Sequence, residues 1–336
     1  VIAAGSLLEF ALKDLSSFGV GRVSSLFVYP MSFDEFLTAT RQEGLLRTKR
    51  NSSPTNPLPE AFYNRLVEAF RSYMLVGGMP EAVATYTETG SYRYSSDIVN
   101  EIIQGYQDDF AKYGAKANPL LLRQTLISVA HQAGAKFVYS RVEGQYRSAE
   151  VKVALEMLKD AGLIIPTYHT DANGVPLGAE INERVVKYLI HDTGVLLGIL
   201  GIDDDIDERI KEMMVADSID LVDKGHVAEM MAGLELIKYS SPQTRHQLYY
   251  WQNMNKGTCA EVDYVIARSG SIVPIEVKSG VKGSMSSMYS LMRNLQKHIE
   301  MGIRCSLENF GTFASPDGKK IDIIPLYAIS NLFAEK

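Results

Sequence analysis

The run Ala260-Glu-Val-Asp263-Tyr-Val-Ile-Ala-Arg-Ser-Gly-Ser-Ile-Val-Pro-Ile-Glu276-Val-Lys278-Ser-Gly280 sets two apolar strand patterns on either side of the turn Arg268-Ser-Gly-Ser271, and it reads as a hairpin that carries acids. Side chains alternate across a strand, so Glu276 and Lys278 fall on one face while Ile275 and Val277 fall on the other. Asp263 can join that pair from the neighbouring strand. Two carboxylates and a lysine grouped in this way suit metal-assisted phosphodiester hydrolysis. The carboxylates are hard oxygen ligands for Mg²⁺, with water and phosphate oxygens filling the other positions. Lys278 would orient the attacking water or stabilise charge on the phosphate. Upstream, Lys224 to Ile237 has helical apolar periodicity, with Val227, Met230, Met231, Leu234 and Ile237 as a core stripe and Glu229 beside it. The competing reading is a solvated or ion-paired strand face, which a bare Glu-x-Lys by itself favours.

An acid followed, after a turn and an apolar strand, by Glu-x-Lys resembles the PD-(D/E)xK nuclease fold, over the last third of the chain. The resemblance implies that Asp263 and Glu276 are the metal ligands, that Lys278 assists, and that Glu229 on the preceding helix completes a catalytic set. It also implies polar backing from Gln296 on the following helix, with no role for His298. His246, before the aromatic strand Leu248 to Trp251, reads as structural.

At 336 residues, two or three modules are the better expectation, and 46% hydrophobic residues supply their cores. The formal charge of −6 gives no overall attraction to nucleic acid or acidic membranes, so any DNA contact must be local. Cys259 and Cys305 have neither metal-ligand spacing nor a disulfide framework, which suits a reducing cytoplasm. No apolar run approaches the ~20 residues that span a bilayer, so no membrane partner is expected.

The chain begins Val1-Ile-Ala-Ala-Gly-Ser6 and continues through Gly19-Val-Gly-Arg22 to Tyr29-Pro30-Met-Ser-Phe33-Asp-Glu35-Phe36. This closely resembles the end of the ATPase domain in a family of bacterial and archaeal AAA-type ATP-binding proteins. The resemblance continues through Val76-Gly-Gly-Met-Pro80-Glu, where a helical lid opens, and through Phe137-Val-Tyr-Ser-Arg141, Leu158 to Leu163, and Asp192-Thr-Gly194-Val-Leu-Leu197. It implies that Ser6 senses the γ-phosphate, that Arg22 faces phosphate, and that the ATPase part assembles as a homo-oligomer. Plainer alternatives are a helix-capping serine and a solvated arginine. No Gly-x-x-x-x-Gly-Lys-Ser/Thr loop occurs in the sequence. ATP is therefore expected as a cofactor only in a longer parent whose ATPase core lies upstream.

Residues 47 to 60, rich in Ser, Asn and Pro, read as an exposed linker. Helices are expected over 61–76 and 97–113, and the pair Asp108-Asp109 reads as a solvated helix face. Residues 118 to 182 have a winged-helix pattern, with helices over 120–132 and 148–161 and strands over 163–170 and 175–181 around Asp171-Ala-Asn-Gly174. The acidic run Asp203 to Glu208 lacks an ion-binding loop's spacing and reads as solvent-facing.

The expected architecture is an α/β multidomain chain. Residues 1–117 would be a truncated AAA-type ATPase end with its helical lid, 118–182 a winged helix, and 183–336 a PD-(D/E)xK nuclease-like α/β domain. Two function classes follow. One is a Mg²⁺-dependent, DNA-associated nuclease; the other is a noncatalytic DNA- or protein-binding regulatory module. Because ligand binding to the folded state raises stability by mass action, saturating Mg-ATP is expected to leave the melting temperature of this chain unchanged. A clear rise in a thermal-shift assay would show that nucleotide binds without the loop.

Overall fold

The computed structural model describes residues 24–111, 118–201, 226–253, 260–280, 283–294, 297 and 299–333. Ser6, Arg22, the Asp203–Glu208 run, Gln296 and His298 lie outside the described residues.

The chain is mixed α/β. The helices Phe33–Ala39 (α1), Glu43–Arg50 (α2), Glu60–Val76 (α3), Pro80–Thr89 (α4) and Tyr92–Ala111 (α5) come first, then Pro119–His131 (α6) and Ser148–Asp160 (α7). Strands Ile164–Thr170 (β1) and Ile181–Ile190 (β2) follow, then Thr193–Ile199 (α8) and His226–Lys238 (α9). The last part contains Leu248–Gln252 (β3), Glu261–Val262 (β4), Tyr264–Arg268 (β5), Ser271–Val277 (β6), Ser286–Arg293 (α10), Met301–Ser306 (β7), Gly311–Ala314 (β8), Lys320–Pro325 (β9) and a 3-10 helix, Leu326–Leu332. Among the described residues the strands form two mixed sheets, ordered β2-β1-β3-β4 and β5-β6-β7-β9-β8.

The acid-bearing hairpin forms as the sequence predicts. Ser269 and Gly270 both take positive φ, 49° and 76°, which is the two-residue primed turn whose twist matches the flanking strands. Arg268 then faces Ser271 and Tyr264 faces Ile275. On β6 the alternation sends Val273, Ile275 and Val277 into the main core. Ile272 belongs to a second core with Met288 and Leu291 of α10.

The motif Pro30-Met-Ser-Phe-Asp-Glu-Phe has a local cause. Ser32 caps α1, and the Glu35 carboxylate accepts the Ser32 backbone N–H at 2.7 Å, a reciprocal capping box. This aims Phe33 and Phe36 into the core, where Phe33 meets Phe70 edge-on at 5.2 Å. The Gly-Gly and Asp-Thr-Gly motifs meet beside it. The Asp192 carboxylate caps α8 through Val195 N–H and accepts Gly78 N–H at 2.6 Å. Met31 N–H donates to the Gly78 carbonyl at 2.7 Å. A Cβ on Gly78 would sit 2.3 Å from the Met31 carbonyl oxygen, so only glycine allows this approach.

Three expectations need correction. Residues 47–60 are an exposed linker only in part: Arg47–Arg50 belong to α2, Lys49 is fully buried, and Leu58 is buried with its backbone bonded to the Asn309 side chain. Composition misleads there because Lys49 is paired with Asp34 and donates to Ser330 Oγ at 2.7 Å, so a charged residue is accommodated inside. The second strand of the 118–182 unit does not span 175–181; it starts at Ile181 and runs to Ile190. Leu177–Glu180 form a 3-10 turn instead. The expected boundary at 182/183 thus falls inside β2, which shares a sheet with β3 and β4 through β1. Finally, α9 is not striped. From Val227 to Ile237 it is buried on every side, with Ala228 and Ala232 as inaccessible as Met230 and Leu234.

Removing one partner of a buried ion pair strands the other charge. Lys49→Met, which keeps the stem's volume, is expected to destabilise the chain by up to about 3–5 kcal/mol, because Asp34 loses its buried cation and is left with the exposed Arg50 and the Tyr239 hydroxyl. Denaturant melts check this, and restoration by a second change, Asp34→Asn, identifies charge rather than packing as the cause.

Candidate functional site: a carboxylate–lysine cluster

The acids identified in the sequence gather at the junction of the two sheets with α9. Asp263 sits in the break between β4 and β5, and its Oδ2 accepts the Val277 N–H at 2.7 Å, which fixes it against the end of β6. Glu276 and Lys278 share a face as expected: Lys278 Nζ donates to Glu276 Oε1 at 2.6 Å. Arg304 is the register partner of Glu276 on β7; it donates to Glu308 at 2.6 Å.

Glu229 is placed by α9. Tyr264 on β5 donates its hydroxyl to the Glu229 carbonyl at 2.8 Å, and a Cβ at Gly233 would come within 2.3 Å of that hydroxyl. Gly233 therefore admits the ring that seats the helix on the sheet. The Glu229 carboxylate then meets Lys187, a residue the sequence reading passed over. Lys187 Nζ donates to Glu229 Oε1 at 2.8 Å and also pairs with Glu261, and the Tyr250 ring lies 4.9 Å from it. Lys187 is 1% exposed. A lone lysine inside Val185-Val186-Lys187-Tyr188-Leu189-Ile190, where both neighbours are apolar, was the available signal. Glu261 had one too, since it lies two residues from Asp263 in an extended run.

Electrostatics set the protonation of this cluster. Burial works against the charged form of Lys187, but Glu229, Glu261 and Asp263 outweigh it and hold the ammonium above its ordinary range. Burial raises Glu229 to about 8, with Asp263 and Glu261 adding to the rise and Lys187 opposing it. Burial and the neighbouring Asp263 raise Glu276 to about 7 against the pull of Lys278. Asp263 is also raised, by burial foremost, although Lys187, the Val277 N–H and Lys278 all favour its charged form. Asp263 thus feels both lysines and joins the two halves of the cluster.

One oxygen is left over. Glu276 is 5% exposed, and its Oε2 is buried without a hydrogen-bond partner. Such an atom costs free energy unless something meets it. Among the described residues no group of three or more His, Cys, Asp or Glu side chains converges tightly enough to hold a metal ion. Glu229 and Glu261 are taken up by Lys187, which leaves Asp263 and Glu276 as the carboxylates with capacity to spare.

The other titratable candidates lie elsewhere. His246 Nε2 meets Thr244 Oγ1 at 2.9 Å in an exposed turn, and Asp108 is an exposed acceptor for Gln104. No helix among the described residues is long and apolar enough to cross a membrane.

Glu229 and Glu276 ionise in the folded chain near about 8 and about 7, against an ordinary 4.5. Between those values the folded chain keeps protons that the unfolded chain has released, so stability falls as pH rises through the window. Lys187, raised above its usual range, contributes stability that is intact throughout this window and lost only above it. Thermal melts between about pH 5 and pH 8 are expected to show a falling melting temperature, and Glu276→Gln to remove part of the fall, on the order of 2–3 kcal/mol. A level or rising profile would contradict the protonation assigned here.

Residues 67–206 match a domain of unknown function (DUF8612), and residues 224–329 match a second domain of unknown function (DUF4143). No curated protein and no solved structure matches the chain. The cluster draws on both matched segments, Lys187 from the first and Glu229, Glu261, Asp263, Glu276 and Lys278 from the second.

Proposed function

We propose that the cluster is a divalent-cation site of the PD-(D/E)xK nuclease type, acting on phosphodiester bonds of nucleic acid within part of an AAA-type ATP-binding protein. The observation that carries this reading is the buried, unpartnered Oε2 of Glu276, with Asp263 beside it and Lys278 on its other oxygen. The donor set fits Mg²⁺, which commonly uses one or two carboxylates and keeps several waters. Asp263 and Glu276 would hold the ion. When bound, it would supply Lewis-acid polarisation of a phosphate oxygen and a more acidic water. Lys278, anchored on Glu276, would orient that water or meet charge developing on the phosphate.

Two further observations support the wider reading. The domain matched by residues 224–329 is often found in proteins associated with AAA ATPases. The unit α6, α7, β1 and β2 has the helix–helix–hairpin order of a winged helix. A cavity on this unit does not favour DNA: Lys152 and Arg184 line it together with Asp171, Glu180 and Glu183. We read this unit as architectural, with nucleic-acid contact assigned to the acidic cluster.

The pairing of Glu229 and Glu261 with Lys187 favours a second reading, a noncatalytic binding module in which the cluster is an internal ion-pair network. The two readings differ under metal. On the nuclease reading Mn²⁺ raises the melting temperature relative to EDTA, by about 2.7 kcal/mol of stability at a hundredfold excess over Kd. Asp263→Asn and Glu276→Gln abolish that response with little loss of metal-free stability. The network reading predicts no response to metal and a less stable chain when either acid is neutralised.

A further inference from the structure

Lys187 does the electrostatic work of an ion. Its ammonium lies in a buried position between carboxylates from two different elements, Glu229 of α9 and Glu261 of β4, and Asp263 adds to the field that holds its proton. The Tyr250 ring closes another side. Clustered carboxylates from separate elements, with a cation between them, resemble the arrangement in which two-ion phosphodiesterases hold one of their metals. Here that cation is covalently attached to β2. It cannot be chelated or diluted away, and it leaves only Asp263 and Glu276 with oxygens to offer.

We propose that Lys187 is a built-in cation that occupies the place of a second divalent ion, so that the site takes one metal ion and Glu229 is a partner of the lysine rather than a metal ligand. The single-ion part of this inference rests on the metal-site reading given above. The role of Lys187 does not. Lys187 is a positioning residue: it acts through Glu229 and Glu261, by keeping them from the ion. It reaches the cluster from residues matched to one domain while its partners belong to the other, so the ion number of the site is set across that join.

The test counts Mn²⁺ bound to the full chain, by the loss of the free-ion electron paramagnetic resonance signal. Wild type is expected to bind one ion, lost in Glu276→Gln. Lys187→Met is expected to bind an additional ion at the vacated position, and adding Glu229→Gln to it removes that ion. Lys187→Arg keeps the wild-type number. A folded Lys187→Met with the wild-type number overturns the proposal. If Lys187→Met does not fold in EDTA, Glu229→Gln in the otherwise unchanged chain decides. Mn²⁺ affinity within about threefold of wild type upholds the lysine-partner role, whereas a loss of about tenfold or more puts Glu229 on the ion and overturns it. A wild type that binds no Mn²⁺ removes the metal-site reading alone, and an ion gained by Lys187→Met would still mark the lysine as the built-in cation.

Discussion

A helix buried on every side cannot leave a charged group unpaired, and α9 carries three. Burial of an isolated charge costs far more than any single packing contact returns, so each charge must be met by a neighbour held in place. At the C-terminal end, Glu235 accepts from the Phe33 backbone N–H at 3.2 Å and from the Tyr73 hydroxyl at 2.8 Å. Lys238 donates to the Met31 carbonyl at 3.0 Å and to the Tyr73 hydroxyl at 2.6 Å. At the other end, Glu229 meets Lys187. One helix therefore fastens the N-terminal helices to the sheets, and the acidic cluster inherits its geometry from that fastening.

What the sequence disclosed was what depends on near neighbours. The hairpin was readable because strand alternation and a Ser-Gly turn are local properties, and the shared face of Glu276 and Lys278 follows from their spacing alone. Glu229 was found because it lies on a helix that precedes the hairpin. Its true partner was not, because Lys187 comes from a strand 42 residues away and nothing nearby announces the pairing. The misread linker fails for the same reason in reverse. Polar composition there looked like solvent exposure, whereas Lys49 answers Asp34 and Ser330, the second of them 281 residues distant. The extent of β2 was misplaced because the loop before it, residues 171–180, contains alternating apolar residues, of which Ala172 and Leu177 enter the second core with Trp251 and Val262 without joining the sheet.

The Gly78, Asp192 and Met31 junction gives the Gly77-Gly78 and Asp192-Thr-Gly194 stretches a physical meaning that does not need nucleotide. A carboxylate shared between a helix cap and a glycine N–H, with a backbone carbonyl where any other residue would carry a Cβ, is a joint with almost no tolerance for substitution. Such a joint speaks for architecture more directly than for chemistry.

Tyr264 and Gly233 have a further consequence for how this protein can change over generations. The phenol hydroxyl occupies the space of a missing side chain and bonds the backbone of the residue that pairs with Lys187. Any side chain at position 233 would lift the helix from the sheet and draw the carboxylate away from its lysine. The helix, the strand and the distant lysine therefore constrain one another, although the two matched segments meet between them.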